Sequence, residues 1–168
     1  MGKKSIKKDK TIYQIVREEL GLSRAEATEY IPDNPVFPGM SGITENMLVK
    51  MESGTTTIQP GDVVAMAKRY NCPELRNHYC CYDCEIGIMD APKVTFKTDV
   101  HEILVNMAVS LRIVNHNKIR LMEILQDEKV TLDEIEEFNA ISKELEHISM
   151  TIEALQLWCE KMKITAKE

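Results

Sequence analysis

The stretch Ile43 to Gly54, ITENMLVKMESG, carries side chains that can hydrogen-bond to a nucleic acid. Its apolar residues Ile43, Leu48 and Met51 are 5 and 3 residues apart, so in a helix they share one face. The surface opposite them then carries Thr44, Glu45, Asn46, Val49 and Lys50. An asparagine amide can bond adenine through two hydrogen bonds, and a threonine can contact a phosphate or a thymine methyl group. The stretch is therefore either an ordinary core helix or a surface that reads DNA.

Four cysteines and a histidine are concentrated in thirteen residues: Cys72, His78, Cys80, Cys81 and Cys84. They supply enough ligands for a tetrahedral zinc ion or an iron-sulfur cluster. The spacing lacks the two C-x2-C pairs of zinc ribbons and knuckles, and cysteines four residues apart also share a helical face when they are only buried apolar side chains. Three interpretations stay open: buried structural thiols, a metal or cluster site, and a redox switch.

Catalytic arrangements are missing from the sequence. It contains no phosphate-binding loop, dinucleotide fingerprint, zinc-protease motif or nucleophile elbow, and its histidines have no evident triad partners. We therefore expect that the protein is not an enzyme.

The composition indicates a globular protein without a membrane span. The chain has 168 residues, of which 43% are hydrophobic and 29% charged, and no apolar run approaches the roughly 20 residues of a membrane helix. Its first ten residues contain five lysines and one aspartate, a net charge of +4 within a chain of net charge -6. Because the first residues also lack the apolar segment of a signal peptide, we expect a cytoplasmic protein with a flexible basic arm at residues 1–10.

Several short helices are predicted up to about residue 84. The first runs from Thr11 to Leu20 and ends at Gly21, and the second begins with a capping box of Ser23 and Glu26. After a loop rich in proline and glycine comes the stretch described above. A fourth helix begins near Pro60 and a fifth after Pro73. No alternating strand pattern appears, so these elements predict one compact helical domain.

The tail is predicted to be an antiparallel pair of long helices, joined near residues 127–130, because apolar residues alternate at spacings of three and four. The residues of this heptad pattern are Leu104, Met107, Leu111, Val114, Leu121, Leu125, Phe138, Ile141, Leu145, Ile148, Ile152 and Leu155, with Lys118 as a polar member and Cys159 continuing it. Outside the pattern, and exposed in an isolated hairpin, would be Ile103, Val105, Ile113, Ile119, Ile124 and Leu157. So much apolar surface must be covered, either because the hairpin folds back on the N-terminal domain or because it pairs with a second copy. Pairing of two hairpins into a four-helix bundle is the simpler arrangement, so we expect a homodimer.

The segment 12–87 resembles the Cro and phage-repressor type of helix-turn-helix domain, the Xre family of bacterial regulators. The resemblance lies in REELGLSRAEATEYI for the first two helices, ITENMLVKMESG for the recognition helix and its exit turn, and VVAMAKRYNCP for the closing helix. The ending YCCYDCEIG is similar to a Gram-positive subgroup that closes on Tyr-Cys, a second Cys and Ile-Gly.

The resemblance implies that the recognition helix enters the major groove with Asn46 as the main base contact. Arg24 matches the family position that contacts a backbone phosphate at a helix N-terminus. The DNA-binding residues expected on this basis are Arg24, Thr44, Glu45, Asn46, Val49, Lys50, Ser53, Thr55 and Thr56.

The resulting interpretation is an all-α protein with a basic arm (1–10), a five-helix helix-turn-helix domain (11–89), a linker (90–97) and a dimerising helical hairpin (98–168). Its expected function is sequence-specific binding of double-stranded DNA as a transcriptional regulator. One alternative is a protein-protein adaptor, or an antitoxin-like partner, that uses a degenerate domain and the tail. Another is a regulator that senses metal or redox state through its cysteines.

Overall fold

The computed structural model describes residues 9–29, 40, 42–95, 99–126 and 130–165. All regular secondary structure in these ranges is helical. In chain order the helices are α1 (Ile12–Glu19), α2 (Arg24–Thr28), α3 (Glu45–Glu52), α4 (Pro60–Arg69), α5 (Glu74–Tyr82), α6 (Gly87–Asp90), α7 (Val100–Ile124) and α8 (Ile135–Thr165). Within the described ranges, no helix combines the length and the apolar character that crossing a membrane requires.

Some predicted features lie outside the described residues. They are residues 1–8 of the basic arm, 32–39 of the predicted loop and 127–129 of the turn between the long helices. The described chain divides into two compact units, one formed by Met1–Ala91 with Glu160–Glu168 and the other by Pro92–Cys159.

The helix α1 begins and ends where local signals predict, and α2 begins where its capping box predicts but ends at Thr28, before the predicted end at residue 30 or 31. The Thr11 hydroxyl accepts from the backbone N–H of Gln14 at 3.3 Å, and Gly21 follows α1 with a φ of +70°, which favours glycine. At the start of α2, Ser23 and Glu26 form the predicted capping box in both directions, at 3.1 and 2.7 Å. These caps provide partners for backbone N–H groups that a helix start leaves unpaired.

The helix α3 is bounded in the same way. Thr44 is its N-cap and accepts from the N–H of Met47 at 3.3 Å, and Gly54 leaves the helix with a φ of +72°. The helix α4 begins at Pro60 as predicted, and the Asp62 carboxylate accepts from the N–H of Gln59 at 3.0 Å.

The short helix α6 was not predicted. It packs so closely on α5 that a Cβ added to Gly87 would lie 2.3 Å from the carbonyl oxygen of Cys80. Residue 87 must therefore be glycine for the chain to turn here. The N–H of Ile88 donates to the Cys84 carbonyl at 2.9 Å, and the thiol of Cys81 lies 3.7 Å from the Ala91 carbonyl.

The core of the first unit is formed by side chains from α1 to α5 and from the segments just before α3 and between α4 and α5. Its buried apolar members are Tyr13, Val16, Ala27, Met40, Ile43, Leu48, Met51, Val63, Met66, Ala67, Tyr70, Cys72, Leu75 and Cys81. The last turns of α8 belong to the same unit: Glu160 forms an ion pair with Arg76, and Lys161 lies 3.5 Å from Glu74. The unit is thus assembled from both ends of the described chain.

In the second unit, hydrogen bonds between side chains help to join α7 to α8. Ser110 Oγ lies 3.1 Å from His147 Nδ1, and Arg120 Nε donates to Glu137 Oε2 at 2.9 Å. As the residue number rises along α7 it falls along α8, so the two helices run antiparallel.

One expectation for the tail was wrong. Ile103, Ile124 and Leu157 were expected to be exposed, but their exposures are only 3%, 0% and 5%. On α7 the row buried against α8 instead passes through Ile103, Ser110 and Ile124, seven residues or a multiple of seven apart. Because Ser110 is polar, this row is hard to recognise as the buried one in the sequence. The neighbouring row is more apolar and was therefore predicted to be buried between the helices.

Alternate members of the more apolar row are exposed on the single chain, whereas Ile141 of the same row is buried. Leu104, Leu111 and Leu125 of α7 are 51%, 52% and 46% exposed. On α8, Leu145 and Ile152 are 45% and 41% exposed.

Candidate nucleic-acid interface

The helix α3 is held by apolar side chains on its inner face. Ile43, just before it, and Leu48 and Met51 within it are 5%, 0% and 2% exposed, as predicted from their spacing. The residues expected to contact DNA from this helix are all exposed: Thr44, Glu45, Asn46, Val49 and Lys50. The polar side chains therefore project outward from a helix that is packed on its other side.

The inner face of α3 ends on a buried carboxylate. Glu52 is 1% exposed, and it receives two hydrogen bonds from Arg17 of α1, from Nε at 2.5 Å and from Nη2 at 2.9 Å. Arg24, the first residue of α2, donates a third bond from Nε at 2.8 Å. One carboxylate thus joins the first three helices.

Arg17, Arg24 and Glu52 form a largely buried cluster whose opposite charges stabilise each other. Burial acts to lower the pKa of the Arg17 guanidinium, but the hydrogen bonds and the negative charge of Glu52 outweigh burial and raise it. Burial, together with the Glu52 carboxylate, also raises the pKa of the neighbouring Tyr70 phenol. Arg17 therefore stays protonated and Tyr70 neutral at physiological pH.

Further bonds extend the cluster along α1. Glu18, also buried, accepts from Gln14 Nε2 at 2.7 Å and from Lys10 Nζ at 2.6 Å. Arg17 Nη1 donates to the Leu22 carbonyl in the turn before α2 at 2.6 Å. These bonds fix the angle at which the chain passes from α1 to α2.

The other end of α2 is held by α4. Arg69 donates from Nη2 to the Glu26 carbonyl at 2.7 Å and from Nε to the Ala27 carbonyl at 3.2 Å. Both carbonyls lie in the last turn of α2, where helical partners are lacking. Because Arg24 binds Glu52 at the other end, α2 is fixed at both ends against its neighbours.

Arg24, for which a phosphate contact is predicted, is the first residue of α2. Its side chain is 34% exposed, and among the described residues its hydrogen bond is made by Nε alone. The Glu52 carboxylate binds the guanidinium through Nε, so the N–H groups of Nη1 and Nη2 can still donate hydrogen bonds to an anion.

The exit turn of α3 is polar and exposed at Ser53, Thr55 and Thr56. Ser53 Oγ and Thr55 Oγ1 lie 3.0 and 3.2 Å from the carbonyl oxygen of Lys50 and 2.9 Å from each other. These two hydroxyls thus satisfy an unpaired carbonyl at the helix end.

The predicted cysteine cluster does not converge on one point. Cys72 and Cys81 are buried, and Cys80 and Cys84 are partly exposed. Burial raises the pKa of the Cys72 thiol to about 12, with help from the nearby Glu74 carboxylate. Across residues 9–29, 40, 42–95, 99–126 and 130–165, no three His, Cys, Asp or Glu side chains are grouped as metal ligands would be. Metal binding stays a prediction that this geometry does not test.

Sequence reasoning missed Glu52, Arg17 and Arg69. A signal for the first two was present: Glu52 follows Leu48 by four residues and Arg17 follows Tyr13 by four, so each lies on the apolar face of its helix. An acid and a base on facing apolar surfaces predict a buried ion pair. Arg69 gave no such signal, because its partners are backbone carbonyls.

Comparison with known proteins adds no relative: no family model matches the chain, and neither the curated proteins nor the solved structures contain a match.

Proposed function

We propose that the protein is a sequence-specific DNA-binding transcriptional regulator that acts as a dimer on a near-palindromic operator. In this proposal α2 and α3 are the helix-turn-helix, and α3 is its recognition helix. The observation that supports it most is the orientation of α3. Its inner residues Leu48 and Met51 and the Glu52 carboxylate are buried. Its outer residues are exposed: Thr44, Glu45, Asn46, Val49 and Lys50.

Binding would begin with α3 entering the major groove. The Asn46 amide would bond adenine, while Thr44 and Lys50 would contact the backbone. Arg24 would contact a phosphate near the N-terminus of α2, held in position by Glu52. The buried cluster therefore supports the proposal, because it fixes the phosphate contact relative to the base contact.

The second unit would supply the dimer. Leu104, Leu111 and Leu125 of α7, together with Leu145 and Ile152 of α8, are 41 to 52% exposed in the single chain. Pairing two such hairpins would bury these rows in a four-helix bundle. Two recognition helices would then enter successive major grooves about 34 Å apart.

The test is selection of bound sequences from a randomised DNA pool by the reduced, full-length protein at about 150 mM salt, since phosphate contacts weaken as salt rises. We expect a near-palindromic sequence to be enriched. Asn46→Ala should lose discrimination at one base pair of each half-site.

The control separates a specific backbone contact from bulk charge. Lys50→Ala should weaken binding to all sequences, whereas Lys68→Ala, an equal loss of charge on the exposed surface of α4, should change little. Failure of the folded dimer to enrich any sequence would contradict the proposal.

An adaptor that binds another protein is the second candidate, favoured by exposed apolar side chains away from α3. Tyr82, Ile86, Ile88 and Met89 at the junction of α5 and α6 are 58%, 69%, 49% and 77% exposed. Large apolar side chains exposed near each other in the sequence are a feature that a protein-binding site would explain. Co-purification of a partner that Met89→Lys abolishes, combined with no DNA enrichment, would establish it.

The third hypothesis is sensing through the cysteines. Elemental analysis of protein purified without chelators would test it for zinc and iron. A stoichiometric metal lost in a Cys80→Ser and Cys84→Ser double variant would support a metal site.

A further inference from the structure

A cleft in the first unit lies beside the exit turn of α3 and shares only Thr56 with the residues expected to contact DNA. It has a volume of about 360 Å³, within the range of roughly 300–1,000 Å³ that is usual for small-molecule sites. Its walls come from the start of α1, the turn after α3 and the end of α5. Three elements distant in the sequence therefore enclose it.

The lining of the cleft combines an apolar surface with a polar edge. Ile12, Met51 and Ile58 supply apolar atoms, and Thr56 and Thr57 supply hydroxyl groups from the exit turn. Such a lining suits a small molecule with a hydrocarbon body and one polar end.

One carboxylate gives the cleft its charge. Asp83 is the single Asp, Glu, Lys or Arg among the described residues that line it. The Tyr13 hydroxyl donates to Asp83 Oδ2 at 3.0 Å and so orients the carboxylate, which keeps acceptor sites on both oxygens.

The remaining titratable groups of the lining do not offset this charge. Burial lowers the pKa of the His78 imidazole against the opposing effect of Asp83, and burial raises the pKa of the Tyr13 phenol. The imidazole lies edge-on to the Tyr13 ring with the centroids 6.2 Å apart, and against the Tyr82 ring at 4.6 Å. The neutral rings of Tyr13 and His78 thus line the cleft together with the negative charge of Asp83.

We propose that this cleft is a binding site for a small organic cation with an apolar body, whose ammonium group pairs with Asp83 and whose hydrocarbon part packs on Ile12, Met51 and Ile58. Ligand binding would also touch Gly54 and Thr56, the residues through which the chain leaves α3.

The test uses the full-length protein labelled with ¹⁵N and three amines as probes: phenethylamine, benzylamine and cyclohexylmethylamine. We expect saturable shifts of the amide signals of Gly54, Thr57 and His78, with a Kd on the order of 1 mM for a fragment of this size. Phenethyl alcohol, which has nearly the same shape without charge, should bind at least about tenfold more weakly.

Two variants and their controls locate the binding. Asp83→Asn should weaken amine binding by about tenfold, whereas Asp90→Asn, an equal change of charge at an exposed residue outside the cleft, should not. Thr57→Lys should block the probes by placing an ammonium group in the cleft, while Thr55→Lys on the same turn should leave them bound.

Three results would overturn the proposal. They are the absence of saturable shifts with all three amines, equal affinity for phenethyl alcohol, and unchanged amine binding in both Asp83→Asn and Thr57→Lys. None of these measurements uses DNA, so the cleft and the proposed regulator succeed or fail separately.

Discussion

Glu52 is a charged residue in the buried core, where an unpaired charge costs free energy because it loses its hydration. Its carboxylate accepts three hydrogen bonds from Arg17 and Arg24 while its exposure is 1%. Removing one partner of a buried pair costs more than the pair contributes, because the remaining charge loses both water and its counter-ion.

Glu52→Gln should therefore destabilise the first unit by about 3 to 5 kcal/mol, since Arg17 keeps its charge in a buried position. Chemical denaturation followed by circular dichroism measures the change. Glu85→Gln, on an exposed residue, should alter stability by less than about 0.5 kcal/mol.

A double variant distinguishes charge from packing. Replacing the pair by Arg17→Met and Glu52→Leu should recover much of the stability lost in Glu52→Gln, because no unpaired charge is left buried. A double variant as unstable as the single one would contradict this explanation.

His78 should make the fold sensitive to mild acid. Burial lowers its folded-state pKa below the usual 6.5, so at pH values below 6.5 the unfolded chain takes up a proton that the folded chain resists. The His78 contribution to stability is thus complete above pH 6.5 and is lost as the pH falls through the folded pKa.

The variant His78→Phe keeps a ring against Tyr13 and Tyr82 and cannot be protonated. Its free energy of unfolding should change less between about pH 7 and pH 5 than that of the parent protein. Denaturation curves at a series of pH values check this. If the free energy of unfolding depends on pH in the same way in both proteins, the acid sensitivity comes from groups other than His78.

At the scale of elements, Gly87 controls how closely α6 approaches α5. Gly87→Ala would place a Cβ 2.3 Å from the Cys80 carbonyl oxygen, and a backbone atom cannot move aside as a side-chain end can. We expect a loss of about 1 to 3 kcal/mol in stability by thermal or chemical denaturation.

Gly61 is the matched control for Gly87. It lies in the first turn of α4 and a Cβ there would meet no atom within 4 Å. Gly61→Ala should be neutral or stabilise by up to about 1 kcal/mol, because alanine favours a helix. Equal effects of the two substitutions would remove the steric explanation.

Helix positions were predictable because their signals are local. Thr11, Ser23, Thr44 and Pro60 mark helix starts through bonds or dihedral preferences within a few residues. The helix α6 escaped prediction because its position depends on a contact with Cys80 rather than on a pattern of its own.

The candidate site was predictable only in part. The spacing of Ile43, Leu48 and Met51 correctly gave the buried face of α3. The partner of Arg24 was not predictable, because Glu52 lies 28 residues away and its acidic side chain is normally a surface group.

At the scale of the whole molecule, the exposed apolar rows of α7 and α8 predict how subunits associate. Leu111→Glu should convert the expected dimer to a monomer, because a carboxylate would be buried in the proposed interface. Analytical ultracentrifugation measures the state.

Asn139→Glu is the matched control on α8. Asn139 is exposed and belongs to none of the apolar residues that argue for pairing, so the substitution adds one negative charge outside the proposed interface, and the dimer should persist. A dimer that survives Leu111→Glu would place the interface elsewhere, and a monomeric parent protein would remove it.

The first unit contains α1 to α6 and also Glu160–Glu168, with the whole of the second unit between them in the sequence. Arg76 and Glu74 therefore meet their partners Glu160 and Lys161 only after the ribosome has synthesised the long helices. A nascent chain can form α1 to α5 early, but the surface of α5 that receives the end of α8 stays uncovered until Glu160 and Lys161 have been synthesised. The order of translation thus allows every contact among α1 to α5 to form before this one.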